Sequence, residues 1–299
     1  GKYLPMDKIA TGIKRIVHEF TSSRVDELSA VKGIMTTDTF PKITTSHFLL
    51  PDSRCTIWAC AKGSGMIEPN LARLTARQAR LTARHATMLS FILTDAKITK
   101  KALNRALSIA VDKSFNCLTV DGDTSTNDTV FAIANGEAKN ELISDGKNFQ
   151  LFCDKLTAVC IELTKMLARD GEGATKLITV NVTDAKSISD AKKIAKTIAN
   201  SPLVKTAIFG NDANWGRIVA SIGRSGVKIN TARIGVSFGN ICVFKNGNPV
   251  GFSEEEVKNI IAKKEVSINV CLQAGEKSAT VFTCDLTDKY VQINACYRT

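Results

Sequence analysis

"RHATMLSFILTDA", residues 84–96, is the stretch on which the reading of the chain turns. A mostly apolar run, Met88 to Leu93, follows a small residue and a lone threonine, Ala86-Thr87. Its length and composition predict a buried strand over 88–94. Just upstream stands a glycine-rich lysine loop, Lys62-Gly63-Ser64-Gly65-Met66-Ile67-Glu68-Pro69-Asn70. A threonine hydroxyl is a weak nucleophile until something removes its proton. If the Ala86–Thr87 bond is cut, Thr87 becomes a chain terminus, and its own α-amine, with a pKa of about 7.7–8, sits beside the hydroxyl. Thr87 is therefore either an ordinary strand-capping residue or a nucleophile that carries its own base at the end of a rigid element.

Outward from this strand, apolar spacing predicts a helix over 4–20 (Leu4, Ile9, Ile13, Ile16, Val17, Phe20) and a short one through Val25, Leu28 and Val31. "TTDTFPK", residues 36–42, breaks the pattern, and 56–61 reads as a strand. Thr99 caps a helix ending near Ser114. "FNCLTVDGD" (115–123) reads as a strand entering an acidic turn, with "TVFAIAN" (129–135) as its partner. A long helix covers 147–169, a strand 177–185, and a helix Ser187 to Ala199. "VKTAIFG" (204–210) reads as a strand and "NDANWGR" (211–217) opens a helix; short strands and one helix near 253–262 fill the remainder. Long helices mixed with runs of strands predict an α+β (α/β layered) fold of sheet and helix rather than a bundle. Because strands often follow one another directly, a purely parallel sheet is not forced.

With 299 residues, 44% of them hydrophobic, the chain can bury a sizeable core as one large domain or two. No apolar run reaches the length of a membrane-spanning helix. Gly1-Lys2-Tyr3-Leu4-Pro5 carries neither an initiator methionine nor a signal pattern, so the chain is expected to begin mid-protein. Nine cysteines, an odd number without a CxxC pair, fit reduced thiols of a cytosolic or organelle-matrix protein. His18, His47 and His85 are far apart, which argues against a metal site, a Ser-His-Asp triad or a Cys-His pair. Neither a GxxxxGK[ST] loop nor a helix-opening GxGxxG is present.

The net charge of +11 invites an anionic partner, nucleic acid or an acidic small molecule, set against a merely scattered basic surface. Aromatics are only 6%, with no basic stripe interleaved among them. Part of the charge comes from a tandem repeat, "ARLTARQ" (72–78) and "ARLTARH" (79–85), with Arg73, Arg77, Arg80 and Arg84 on one broad helical face. It is either a surface insertion or an anion-binding arm; the latter would make the chain a nucleic-acid-binding module.

Seven motifs in order span almost the whole chain: "TTDTFPK", "AKGSGMIEPN", "ATML" with "TDA", "DGDTSTNDT", "ARDGEGATK", "GNDANWGR" and "INACYRT". In these the sequence resembles the glutamate N-acetyltransferase / ornithine acetyltransferase family of arginine biosynthesis. The resemblance implies an N-terminal-nucleophile-like αββα sandwich of the aminopeptidase/ornithine acetyltransferase type. It implies self-cleavage at Ala86-Thr87, with residues 1–86 as the C-terminal portion of an α-chain (71–85 being the repeat insertion) and 87–299 as a β-chain. The two stay together as a heterotetramer. Thr87 would take acetyl from N2-acetyl-L-ornithine and pass it to L-glutamate, and some members also accept acetyl-CoA. No other cofactor, metal, nucleic acid or membrane is implied. The compartment would be the cytoplasm in a bacterium and the mitochondrial matrix or chloroplast in a eukaryote. The alternative is a related N-terminal-nucleophile amidohydrolase or aminopeptidase with water as acceptor.

Carried over by position, substrate contacts fall on Thr36, Lys62, Thr87, Glu172, Asn294 and Thr299. Lys62 suits an α-carboxylate as a point charge. Glu172, between glycines at a helix end where the dipole disfavours an anion, suits the ornithine ammonium. Asn294 and Thr299 would bind from a tail that must dock in the cleft. Thr37 and Thr39 compete with Thr36. Asp121, Asp123 and Asp128 are either catalytic groups or, as the acidic loop's composition favours, side chains hydrogen-bonding their own backbone. The chain departs from the family in placing fifteen residues, Leu71 to His85, where one is usual; Thr75 and Thr82 inside them are fallback nucleophiles. The family's oxyanion-hole Thr-Gly would lie just before Gly1, so the 299-residue piece alone is expected to be poorly active.

Overall fold

The structure, a computed structural model, describes residues 4–19, 27–71 and 87–296. Its elements are α1 (Met6–Glu19), α2 (Glu27–Ile34), β1 (Lys42–Leu50), β2 (Ser53–Lys62), β3 (Leu89–Thr94), α3 (Lys100–Lys113), β4 (Thr129–Ala134), α4 (Gly146–Arg169), β5 (Leu177–Ala185), α5 (Ile188–Ala199), α6 (Pro202–Phe209), α7 (Trp215–Arg224), β6 (Gly235–Phe238), β7 (Ile241–Lys245), β8 (Asn248–Pro249), α8 (Glu254–Ile261), β9 (Glu265–Cys271), β10 (Lys277–Cys284) and α9 (Asp288–Cys296). Phe20 and Val25 lie outside the described residues.

The layered α+β class expected from the sequence is what forms. Strands order as β1-β2-β3-β4 in a four-stranded sheet and as β10-β5-β9-β6-β7-β8 in a six-stranded one. Both are mixed: β3–β4 and β5–β9 run parallel and the other pairs antiparallel. The long helix α4 packs against α3, against β1 and β2 of the first sheet, and against β10 of the second. Its buried face, Phe152, Leu156, Cys160, Leu163 and Leu167, recurs every three or four residues and meets Phe48, Ile57 and Ile92 in one core. Burying each of those side chains is worth about 1.5–3 kcal/mol. A second core joins Val180 and Val182 of β5, Ile194 and Ile198 of α5, and Val281 of β10.

Residue 86 precedes a strand that belongs to the middle of a sheet. β3 pairs with β2 from Ile57↔Thr94 to Lys62↔Leu89, while β4 lies on its other side. A cut at 86–87 thus divides a sheet covalently, and its ladder of hydrogen bonds still runs across the division.

Three sequence expectations are corrected. Residues 115–123 are not a strand: Phe115–Cys117 is a 3₁₀ turn and Leu118 makes an isolated bridge to Phe282 before the acidic loop. The run is buried from Phe115 to Val120 because it threads between the elements of the two cores, which an apolar composition alone cannot distinguish from a strand. Consequently 129–135 pairs with β3, not with that run. Residues 204–210 belong to a helix, α6: Ser201 caps it by accepting from the Val204 N–H, and Pro202 stands at its first turn, where a missing N–H costs nothing. Finally, β1 is absent from the sequence reading, and the closing tail is helical as far as Cys296.

Candidate active site

The glycine-rich loop after β2 is the hub. Gly63 has φ +142°, a region L side chains rarely adopt, and a Cβ there would lie 2.7 Å from the Thr87 carbonyl oxygen. The backbone of the loop is therefore pressed directly against the backbone of Thr87. The Thr87 hydroxyl donates to one of two acceptors, the Met66 carbonyl at 3.0 Å or Asp128 Oδ1 at 3.1 Å. Met66 is itself in the left-handed region, at φ 53°, a conformation that costs a non-glycine residue about 1–2 kcal/mol. Asp121 holds it there, accepting from the Met66 N–H at 2.7 Å and the Ile67 N–H at 3.0 Å. At the far end of the loop Glu68 pairs with Lys196 at 3.0 Å, and Leu71 exchanges two hydrogen bonds with the Asn116 side chain.

Asp128 accepts from the Met88 N–H at 3.1 Å as well as from Thr87, and its Oδ2 is buried with no hydrogen-bond partner among the described residues. Burial pushes its pKa up to about 6, against the Met88 N–H, the Thr87 hydroxyl and the Lys62 ammonium, which all favour the anion; Asp121 adds to the rise. This corrects the sequence reading of the acidic loop. Asp121 does serve its own backbone at Asp123, but both it and Asp128 reach across to Thr87 and the loop that packs on it.

Lys62 is 5% exposed, and its ammonium has no hydrogen-bond partner among the described residues. Burial lowers its pKa, opposed by the charges of Asp38 and Asp128 and reinforced by Lys42. A desolvated cation of this kind is open to an incoming anion. Beneath it lies an ion cluster. Lys42 is fully buried and pairs with Asp38 at 2.6 Å and with Asp170 at 2.5 Å. Asp38 also accepts from the Gly63 N–H at 2.6 Å, and Asp170 accepts from the Thr39 N–H at 3.0 Å and from its hydroxyl. For Asp38, burial alone would raise the pKa, but the Gly63 N–H, Lys42 and the Thr36 N–H outweigh it and the net direction is down.

Of the residues expected to touch substrate, Lys62 and Thr87 adjoin the loop at Gly63, and Glu172 and Asn294 meet beside Gly65. Glu172 Oε2 accepts from Asn294 Nδ2 at 2.9 Å, and the Glu172 N–H donates to the Ser64 carbonyl at 2.9 Å. Thr36 is exposed, while its competitors are occupied: Thr37 bonds Ser64 at 2.6 Å and Thr39 bonds Asp170. Tyr290, from α9, lies near Asp121, Glu172 and Asp123, and burial together with these carboxylates pushes its pKa up to about 12. The site is thus bipolar, cationic at Lys62 and acidic around Glu172. Ala86, Thr299 and the arginine repeat with Thr75 and Thr82 lie outside the described residues.

Gly65 explains how Glu172 comes so close. Any Cβ at Gly65 would collide with the Glu172 carboxylate. Gly65→Ala is therefore expected to displace Glu172, raising KM for a cationic substrate about tenfold with kcat changed less, as steady-state kinetics would read; an unchanged KM would remove Glu172 from substrate binding.

Elsewhere, Asn211 to Gly216 line a separate open cleft with Phe252, Glu254 and Lys258, and Lys176 Nζ bonds the Ile208 carbonyl and Asn211. Among the described residues no cluster of His, Cys, Asp or Glu could hold a metal ion, and no helix is long and apolar enough to cross a membrane.

A model of the ArgJ family matches residues 1–299. The chain belongs to the ArgJ family. Two proteins named arginine biosynthesis bifunctional protein ArgJ, from Oceanobacillus iheyensis and Symbiobacterium thermophilum, are 46% and 45% identical to it over 300 residues. They match 100% of this chain, which spans 69% and 71% of theirs. The crystal structure of the ArgJ protein from Bacillus halodurans superposes with a TM-score of 0.68 at 46% identity, covering 69% of this chain and 98% of that one. The family resemblance read from the motifs, and the fold class that came with it, therefore stand.

The sequence had placed Asp38, Lys42 and Asp170 inside ArgJ-type motifs without giving them a task. Their pairing spans 128 residues of chain, which no local pattern reports.

Proposed function

We propose that this ArgJ family member is an acyltransferase of arginine biosynthesis that moves acetyl from N2-acetyl-L-ornithine to L-glutamate through an acetyl ester on Thr87. The observation that carries the proposal is the placement of the Thr87 hydroxyl at the head of β3, between the Met66 carbonyl and Asp128 and beside the desolvated Lys62. After cleavage of the Ala86–Thr87 bond, the freed α-amine takes the hydroxyl proton while Oγ attacks the acetyl carbonyl. Collapse of the tetrahedral intermediate expels ornithine, whose nitrogen receives that proton. The glutamate amine then attacks the acetyl-threonine ester and restores the enzyme.

The bipolar site suits this donor. Its α-carboxylate matches Lys62 and its side-chain ammonium matches the acidic end at Glu172, with Thr36, Asn294 and Thr299 completing the contacts. Lys62→Met is expected to raise KM for acetylornithine by about 10–100-fold, the worth of a charge-assisted hydrogen bond, with a smaller effect on kcat. A KM within twofold of the parent enzyme would exclude that contact.

Cleavage before Thr87 has support in chain length. A crystal chain of which 98% is matched by 69% of these 299 residues is about 210 residues long, close to the 213 from Thr87 to Thr299. The proposal includes a heterotetramer of two α- and two β-chains, the β2–β3 ladder joining each pair of fragments. It requires no cofactor, and acetyl-CoA enters as a second acetyl donor, which the word "bifunctional" in the relatives' names accommodates. The bacterial origin of those relatives supports a cytoplasmic location. The deciding experiment supplies acetylornithine with and without glutamate. Acetylglutamate should form; release of free acetate alone would indicate an amidohydrolase instead.

A further inference from the structure

The base assigned to Thr87 does not exist in the uncut chain. Before cleavage the Thr87 nitrogen is a peptide amide, with no basic lone pair, yet the hydroxyl must lose its proton to attack the carbonyl of residue 86. Among the described residues only two groups receive that hydroxyl, the Met66 carbonyl and Asp128 Oδ1. A peptide carbonyl positions a proton but does not take it. We propose that Asp128 is the catalytic base of the self-cleavage step, standing in for an amine that the step itself creates.

The geometry supports the role. Oδ1 lies 3.1 Å from Thr87 Oγ1, inside hydrogen-bond reach, and is held by the N–H of the next residue, Met88, at the same distance. Oδ2 is buried and has no hydrogen-bond partner among the described residues, an arrangement that costs free energy and needs a reason. In the cleaved enzyme that reason is at hand, because Thr87 then carries new N–H donors within one residue of the same carboxylate. The charged groups that act on Asp128 are Lys62 and Asp121, and with burial they set a pKa of about 6, so the carboxylate is ionised at neutral pH and still basic enough to accept a proton.

Asp128 takes the Oγ proton as Oγ bonds to the carbonyl carbon of residue 86, whose π electrons move to oxygen. The tetrahedral intermediate collapses, the C–N bond breaks, and the proton passes from Asp128 to the departing Thr87 nitrogen. The result is an ester between residue 86 and Thr87 Oγ. Water hydrolyses it, leaving a carboxylate on residue 86 and a free hydroxyl and amine on Thr87.

This inference rests on the self-cleavage reading, and the test separates the two. Full-length precursor, pulse-labelled in cell-free translation and shifted to buffers from pH 5 to 8, is followed by mass spectrometry. The wild type should be cut before Thr87, about tenfold faster per pH unit below pH 6 and level above it. Asp128→Asn should be slowed by about 10²–10⁴-fold, the usual worth of a general base, and Asp128→Glu should recover part of the rate. Uncut Asp128→Asn should melt cooperatively near the temperature of uncut Thr87→Ala. If Asp128→Asn does not fold, the wild-type profile decides: a rate flat across pH 5–8, or one still climbing with hydroxide at pH 8, overturns the assignment. Cleavage of Asp128→Asn at the wild-type rate overturns it while leaving the Thr87 reading intact. A wild type that is never cut before Thr87 removes both.

Discussion

Thr87→Ala should leave the full-length precursor as one polypeptide and reduce acetyl transfer by at least about 10⁴-fold, the scale seen when a nucleophile is removed. The substitution takes away the only atom that forms a bond in both reactions, so cleavage and transfer must fail together. It should do little to the fold. The hydroxyl makes one of two hydrogen bonds at a time, and neither the strand pairing of β3 nor the burial of Met88 depends on it. Thr87→Ser keeps the oxygen and should retain both activities at a reduced rate. Mass spectrometry of the two variants and an acetylglutamate assay check this. Cleavage in the alanine variant, or transfer by it at more than a hundredth of the parent rate, would overturn the mechanism.

Lys42→Met should be the most damaging substitution remote from the reacting atoms. The side chains of Lys42, Asp38 and Asp170 are 0%, 0% and 2% exposed, so removing the cation leaves two buried carboxylates facing each other. Breaking a buried pair in this way costs about 3–5 kcal/mol. For a chain of this size that is a fall in Tm on the order of 10 °C. Function should fall too, because Asp38 holds the Gly63 N–H and Asp170 leads directly into the turn that carries Glu172.

The pH dependence of this loss has a definite sign. The folded-state pKa of Asp38 is depressed below its ordinary value of 3.8. Its stabilising contribution is therefore complete above pH 3.8 and disappears as pH falls through the lower folded value. The gap between wild type and Lys42→Met, measured by denaturant unfolding, should be widest near neutrality and narrow below about pH 4. A gap independent of pH would assign the cluster's worth to packing rather than to charge.

Much of the fold was legible because its signals are local. Thr99 and Ser187 cap the helices they were expected to open, and α4 has the apolar face that its spacing implied. The errors fell where a local signal is ambiguous. "VKTAIFG" is apolar and short enough to be strand or helix, and only the capping by Ser201 decides it. The run from Phe115 to Val120 is buried on all sides as it passes between cores, so its composition mimics a central strand. At the site, Thr87 and Lys62 could be singled out from chemistry and motif alone. Asp128 was one of three acidic-loop candidates that sequence could not tell apart, because its short distance to Thr87 depends on the parallel pairing of β3 with β4, which brings Thr129 opposite Leu89.

By itself the sequence determined the family and the layered class, and it put Thr87 forward as the proposed nucleophile, since motif order, periodicity and side-chain chemistry are properties of neighbouring residues. Only the tertiary structure decided what surrounds Thr87: a carboxylate from the acidic loop, a desolvated lysine, and an ion cluster tying Asp38 to Asp170. Those contacts join segments up to 131 residues apart, and their energies come from burial and distance, neither of which exists until the chain has folded.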